Sequence, residues 1–423
     1  MRYALVGFVT LYLAGGKPLE AGQPVDAQPL VLSRVTVIDA TGAAQRPDMT
    51  VVIDKGRIAV LGKSGTVAIP PRACVVDASG KFLIPGLWDM HVHWYDERSL
   101  PLFTINGVTG IRIMFGFPLH LDWQRRFAQG KLSGPRLVVA GPAVDGAPPV
   151  WPDSIRARTE LEGRHAVQAI RQAGYDLVKV YHLLPRETYF GIADEAKRQG
   201  LAFGGHVPIS ITAAEASDAG QKTIEHLYGV ALACSSRELE LRRELKAQTE
   251  SAGVPDIALS LRFEVAAHDS YDEQKAAALF SRFVKNGTWQ VPTLAVGQSH
   301  ASLNGEDPTR AFRMQYMPPA LRARWESRKR ATFKKLGQPE FDNFKRSFRS
   351  HLELVAAMHR AGVEFLAGTD TGALDCFPGF SLHDELALLV QAGLTPMEAI
   401  QSGTRNPARC LGRLGDLGTV EQG

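Results

Sequence analysis

After Gly80 the sequence falls into a repeating texture in which brief apolar runs alternate with stretches of helical periodicity. That alternation is the sequence form of repeated βα units around a parallel sheet. The runs lie at residues 82–91, 110–114, 136–140, 177–181, 202–206, 223–226, 289–294 and 365–370, which makes eight. Eight parallel strands with helices between them predict an α/β fold, a closed (β/α)8 barrel of the TIM type rather than an open doubly wound sheet. The intervals 227–288 and 295–363 exceed what one connecting helix needs, so helical lid insertions are expected near 230–285 and 296–350, over one barrel mouth.

Ahead of the barrel, runs at 30–39, 50–61 and 73–77 are β-rich and broken by Thr41-Gly42 and Lys55-Gly56, as in an antiparallel meander. The expected division is a leader over 1–28, a small β-domain from 29 to 80 and a barrel domain from 81 to 410. The leader reads Met1-Arg2-Tyr3, then an apolar run from Ala4 to Ala14, then small and polar residues. That pattern resembles a short secretory signal, although an unstructured N-terminus fits the same residues. A signal would place the protein in a periplasm or outside the cell, and its absence in the cytoplasm. Neither this run nor any later segment reaches the roughly 20 apolar residues of a membrane span.

Hydrophobic residues make up 45% and charged residues 22%, which excludes disordered and fibrous classes. A net charge of +4 with no dominant Lys/Arg block gives nucleic-acid binding no support, so a small-molecule substrate is the expectation. Cys74, Cys234, Cys376 and Cys410 lie far apart with no CxxC pair, against a structural zinc knot or a dense disulfide framework. The basic stretch 310–349 reads as a solvated helical face; lying over a site, it would favour anionic substrates. Ser381 with Asp384, and Thr395 with Glu398, have the spacing of helix starts.

The segment Pro85-Gly86-Leu87-Trp88-Asp89-Met90-His91-Val92-His93 ends an apolar strand with histidines at i and i+2. Alternate residues of an extended chain share one face, and at a barrel strand's C-terminal end that face is the barrel interior. Two imidazoles aimed there make half of a divalent-metal site, though two packed histidines satisfy the same pattern. Later strands end in the same chemistry: Gly204-Gly205-His206, Ile224-Glu225-His226 and Gly368-Thr369-Asp370. Buried ionisable groups are costly unless paired or metal-bound, so four histidines and an aspartate converging on one mouth favour metal. Lys179 lies in the apolar run Leu177-Val178-Lys179-Val180-Tyr181, where an ammonium beside dications would be repelled. A salt-bridge partner resolves that conflict, as does reaction with CO2 to an anionic carbamate that bridges two metals; snorkelling out of the strand end is the third account.

Taken in order, 82–93, Gly107-Val108-Thr109-Gly110, 175–181, 205–208, 224–226 and 366–370 resemble the amidohydrolase superfamily, in its imidazolonepropionase-like and Xaa-Pro dipeptidase-like branch with a carboxylated lysine. The resemblance runs from about residue 30 to the end. It implies two divalent ions, zinc being the expectation: one held by His91, His93 and Asp370, one by His206 and His226, with carboxylated Lys179 bridging them. It further implies a bridging hydroxide that attacks an amide-type carbonyl, with Asp370 passing its proton to the leaving nitrogen. Tyr181 and Tyr228, each close to a ligand, would reach the substrate, or else serve packing. Dipeptides and N-acyl amino acids are the implied substrates. A mononuclear cyclic-amide hydrolase or deaminase with unmodified Lys179, an ester or lactone hydrolase, and a barrel retained only for binding are the other readings.

The resemblance also implies that 29–80 and 411–423 together build a small β-sandwich. Family members continue past Leu417-Gly418-Thr419-Val420-Glu421-Gln422-Gly423, so the C-terminus reads as truncated and the sheet as open-edged. An open edge invites pairing with a second copy, which makes a homo-oligomer an expectation.

Overall fold

A computed structural model describes residues 28–252, 257–305 and 309–423; the leader expected over 1–28 lies outside the described residues save for Gln28. The chain folds as two compact units, one made of the described residues up to Gly86 with Thr404–Gly423, the other of Leu87–Gly403.

In the first unit β1 (Leu30–Val37), β2 (Arg46–Asp54), β3 (Arg57–Lys63), β4 (Cys74–Asp77) and β5 (Phe82–Leu83) form one sheet in the order β3-β2-β1-β4, with β5 also on β1. Lys55 and Gly56 both take positive φ, 49° and 75°, which gives the tight hairpin that splits the run 50–61 into β2 and β3. The meander holds for β1 to β3 only. β4 and β5 run parallel to β1, because the segment after β3 is long enough to cross over rather than turn back. Val35, Val37, Met49, Val51 and Ala78 bury a core that Val420 completes from the C-terminal segment. Val420 N–H donates to Asp39 O and Gly423 N–H to Ile58 O. Among the described residues this unit is a single sheet; the facing second sheet of a sandwich is not formed.

The second unit holds the parallel strands β6 (Leu87–Val92), β7 (Val108–Ile113), β8 (Arg136–Val139), β9 (Val144–Asp145), β10 (Ile155–Arg156), β11 (Leu177–Val180), β12 (Ala202–Gly205), β13 (Thr223–Glu225) and β14 (Trp289–Val291). β6-β7-β8 form one sheet and β10-β9-β11-β12-β13-β14 another. A bridge between Ala140 and Leu177 joins the two, and bridges Gln290 to Phe365 and Val92 to Thr371 close the ring. β6, β11, β13 and β14 are buried at every position, as expected of strands covered on both faces.

Several expected strands differ in extent. The run 82–91 is two strands, because Pro85 lacks an N–H and breaks the ladder between β5 and β6. The run 289–294 stops at Val291, since Pro292 follows and Thr293 turns left-handed at φ 49°. The segment 365–370 makes ladder bonds (Leu366 N–H to Gln290 O, Asp370 N–H to His91 O) without forming a regular strand, and Asp370 itself sits at φ 59°. The short β9 and β10 were not expected.

The two long intervals carry helices: Val230–Ala233, Glu238–Ala252, Ile257–Asp269 and Glu273–Asn286 in the first, Leu294–Ala301, Arg310–Met314, Pro319–Lys335 and Gln338–Arg360 in the second. No helix among the described residues is long and apolar enough to cross a membrane. Thr395 and Glu398 form the expected capping box. Ser381 does not cap: Gly379 precedes that helix, the Ser381 hydroxyl accepts from Phe377 N–H, and Asp384 pairs with Arg313. Cys74, Cys234 and Cys376 are free thiols.

Glu385, on the helix Phe380–Gln391, is fully buried. One carboxyl oxygen accepts from Ala295 N–H at 2.7 Å and the other has no partner, so burial raises its pKa to about 8. The folded state therefore holds a proton that the unfolded chain releases, and stability falls as pH rises from the ordinary carboxyl value toward 8. Glu385→Gln flattens that slope, gaining about 2 kcal/mol relative to wild type between pH 6 and 8. Urea denaturation at both pH values measures it; parallel slopes in the two proteins would refute the buried proton.

Candidate metal centre

His91 lies in β6 with no exposure, and His93 follows the strand's end. Their two Nε2 atoms face one another at 3.2 Å. Asp370 Oδ1 lies 3.2 Å from His93 Nε2 and 3.5 Å from His91 Nε2, so one ligand atom from each residue falls within 4.8 Å of the others. His91 Nδ1 is 2.7 Å from Glu225 Oε2. That carboxylate accepts a hydrogen bond from Nδ1–H and so leaves the His91 Nε2 lone pair pointing into the cluster.

Glu225 is held in turn. Arg112, 2% exposed on β7, donates to Glu225 Oε1 at 2.9 Å and to Met90 O at 2.7 Å. Asp89 supports the opposite flank, accepting from His91 N–H, Thr369 N–H and the Thr369 hydroxyl. Thr369 and Thr371 share a further hydrogen bond across Asp370, which fixes the left-handed turn that presents the carboxylate. Burial pushes the Asp89 carboxyl up to about 7.

Lys179 is 1% exposed on β11, and its Nζ has no hydrogen-bond partner among the described residues. Burial lowers its pKa to about 8, against the attraction of Glu225 and Asp370. Snorkelling is thereby excluded, and so is a direct salt bridge. Gly205, at φ 134°, keeps this passage open, because a Cβ there would stand 2.9 Å from Lys179 Cδ and 2.3 Å from Val180 O.

His206 and His226 follow the ends of β12 and β13. Their ring centroids are 5.0 Å apart, and His226 lies 4.4 Å from His91. His206 Nδ1 meets His182 Nε2 at 3.0 Å, and His226 Nδ1 meets Thr293 Oγ1 at 2.7 Å. Burial holds His91 and His206 well below the ordinary histidine value and His226 at about 4. All three are neutral imidazoles at physiological pH, the form that binds metal.

Tyr181 and Tyr228 both stack on His206, at 4.1 and 4.5 Å between centroids, and the Tyr181 hydroxyl accepts from Trp151 Nε1. They line a cavity of about 980 Å³ together with His93, Lys179, His206, His226 and Asp370. Residues of the insertions, among them Glu264, His300, Arg324 and His351, line the same cavity.

The six expected ligands thus come from five segments, His91 and His93 from one of them, to one end of the barrel interior. Glu225, Arg112, Asp89 and His182 escaped the sequence reading. Arg112 and Glu225 gave the same signal as Lys179, a charge inside an apolar strand, and the same argument would have found them.

The amidohydrolase family profile matches residues 82–423. The chain belongs to that family. Among solved structures, a bottromycin amidohydrolase is similar to this amidohydrolase at 21% identity, covering 90% of this chain and 78% of the other with a TM-score of 0.68. A Xaa-Pro dipeptidase with methionine bound in its active site is 18% identical, covering 94% and 92%, with a TM-score of 0.66. An imidazolonepropionase of Idiomarina loihiensis is 36% identical over 70 residues, 16% of this chain and 17% of that protein.

Proposed function

We propose that this amidohydrolase cleaves amide or peptide-like C–N bonds of small substrates, dipeptides and N-acyl amino acids, at a dinuclear metal site. The observation that carries the reading is Lys179 Nζ, buried and unpartnered among neutral imidazoles and the Asp370 carboxylate. A buried amine with a pKa near 8 is partly neutral at physiological pH, and the neutral amine is the form that adds CO2. As a carbamate, Lys179 would supply two oxygens between His91, His93 and Asp370 on one side and His206 and His226 on the other. The donor set fits two divalent ions of the zinc type, all nitrogen and oxygen with imidazoles already deprotonated. Such ions, when bound, supply an activated water and polarise the scissile carbonyl.

The chain's own groups do the rest. Neighbouring imidazoles help hold the Asp370 carboxyl well below the ordinary range despite its burial, so it enters the reaction as a base. It takes the proton of the attacking water and delivers it to the leaving nitrogen. Glu225 and Arg112 hold His91 in orientation, and the Thr369–Asp89 bonds hold Asp370. Tyr181 and Tyr228 offer hydroxyls to the substrate from the cavity wall, and the insertion helices shield the site from bulk water.

Asp370→Asn is expected to lower kcat about 10²- to 10⁴-fold, the range for loss of a positioned acid–base group. A chelator abolishes wild-type turnover and zinc restores it. Unchanged kcat in Asp370→Asn would remove the proton-transfer role. Among the described residues His91, His93 and Asp370 are the group whose ligand atoms lie within 4.8 Å of one another, which supports a one-metal reading as the second, and metal stoichiometry separates the two.

A further inference from the structure

The helix Pro319–Lys335 carries Arg322, Arg324, Arg328, Lys329, Arg330 and Lys334 against one acid, Glu326. Glu326 is already taken by Arg310 at 2.7 Å. Leu321, Arg324 and Arg328 fall at i, i+3 and i+7, one stripe of the helix, and all three line the cavity that holds His93, Lys179 and Asp370. The neighbouring face is anchored: Trp325 is 1% exposed and meets the Phe377 ring at 5.3 Å, which sets the helix's rotation about its axis.

Three of the four carboxylates lining the cavity are otherwise engaged. Asp96 pairs with Arg98, Glu264 is bound by Ser347 and His351, and Asp370 belongs to the histidine cluster. Asp153 is the remaining carboxylate of the lining, and neither the Arg324 nor the Arg328 guanidinium has an ion-pair partner among the described residues. A guanidinium fork matches the two oxygens of a carboxylate, and four helical residues separate the forks by roughly 6 Å along the axis.

We propose that Arg324 and Arg328 read a free carboxylate on the substrate, at the end away from the bond cleaved, and so restrict this enzyme to anionic amides. The inference rests on the amide-hydrolase reading and adds its specificity element. A carboxylate at this place gains two charge-assisted partners that a neutral or cationic end cannot use.

The test is a panel of dipeptides and N-acyl amino acids, each assayed beside its C-terminal carboxamide, on zinc-loaded enzyme. Wild type is expected to favour the carboxylate member. Replacing both arginines by alanine should lower the ratio of carboxylate to carboxamide kcat/KM about 10- to 100-fold, the scale of one or two charge-assisted hydrogen bonds, chiefly through KM. Both side chains are exposed, and Arg324→Gln with Arg328→Gln, which keeps their length, should give the same loss. A wild type that cleaves the panel while both double variants keep its ratio overturns the carboxylate reading and leaves the hydrolase standing. A wild type that cleaves no member overturns both.

Discussion

Lys179→Ala is expected to abolish turnover, by at least about 10³-fold, the scale of losing a preorganised charge at a reacting centre. Short carboxylic acids such as formate or propionate should restore a part of it by filling the place of the carbamate. The physical case begins with cost. An ammonium 1% exposed and without a hydrogen bond carries a desolvation penalty of several kcal/mol, which the Tyr181 ring at 5.9 Å and the attraction of Glu225 and Asp370 offset only in part. A lysine kept there for packing would therefore be a poor choice, and Lys179→Met should leave the metal-free protein at least as stable as wild type. Loss of activity with retained or increased thermal stability is the pattern of a functional lysine. Full activity in Lys179→Ala would end the bridging role.

Glu225→Ala is expected to cost about 3–5 kcal/mol of stability, because it strands the Arg112 guanidinium in the barrel interior. Glu225 accepts from Arg112 at 2.9 Å and meets His91 Nδ1 at 2.7 Å, with both carboxyl oxygens fully buried. Glu225→Gln keeps the shape and removes the charge, so its loss of stability should be smaller. It still weakens the hold on the His91 tautomer, and metal affinity should fall about 10- to 100-fold. Chemical denaturation and competitive zinc titration separate the two effects. A Glu225→Gln protein with wild-type zinc affinity would show that His91 needs no carboxylate to orient it.

Much of this was legible in sequence because barrel geometry turns one-dimensional order into spatial convergence. Residues at the C-terminal ends of parallel strands meet at one mouth whatever the loops between them do, so His91, His206, His226 and Asp370 could be grouped before any coordinates. Segment 365–370 was the exception in form, since its left-handed Asp370 depends on Asp89, distant in sequence, as well as on the neighbouring Thr371. The hairpin at Lys55-Gly56 was local and could be read directly, whereas the parallel return of β4 to β1 was not, because its crossover carries no short-range signature. The cavity roof was likewise hidden. Residues 310–349 looked like an ordinary solvated face, and only the folded structure, with Trp325 buried, shows that the exposed Arg324 and Arg328 line the cavity mouth.

Metal stoichiometry with native mass, on protein purified in bicarbonate, tests the dinuclear centre most directly. The account predicts two divalent ions per chain and one added CO2, with the CO2 lost in Lys179→Ala. One ion per chain with unmodified Lys179 would contradict it and move the chemistry to the His91, His93 and Asp370 group alone.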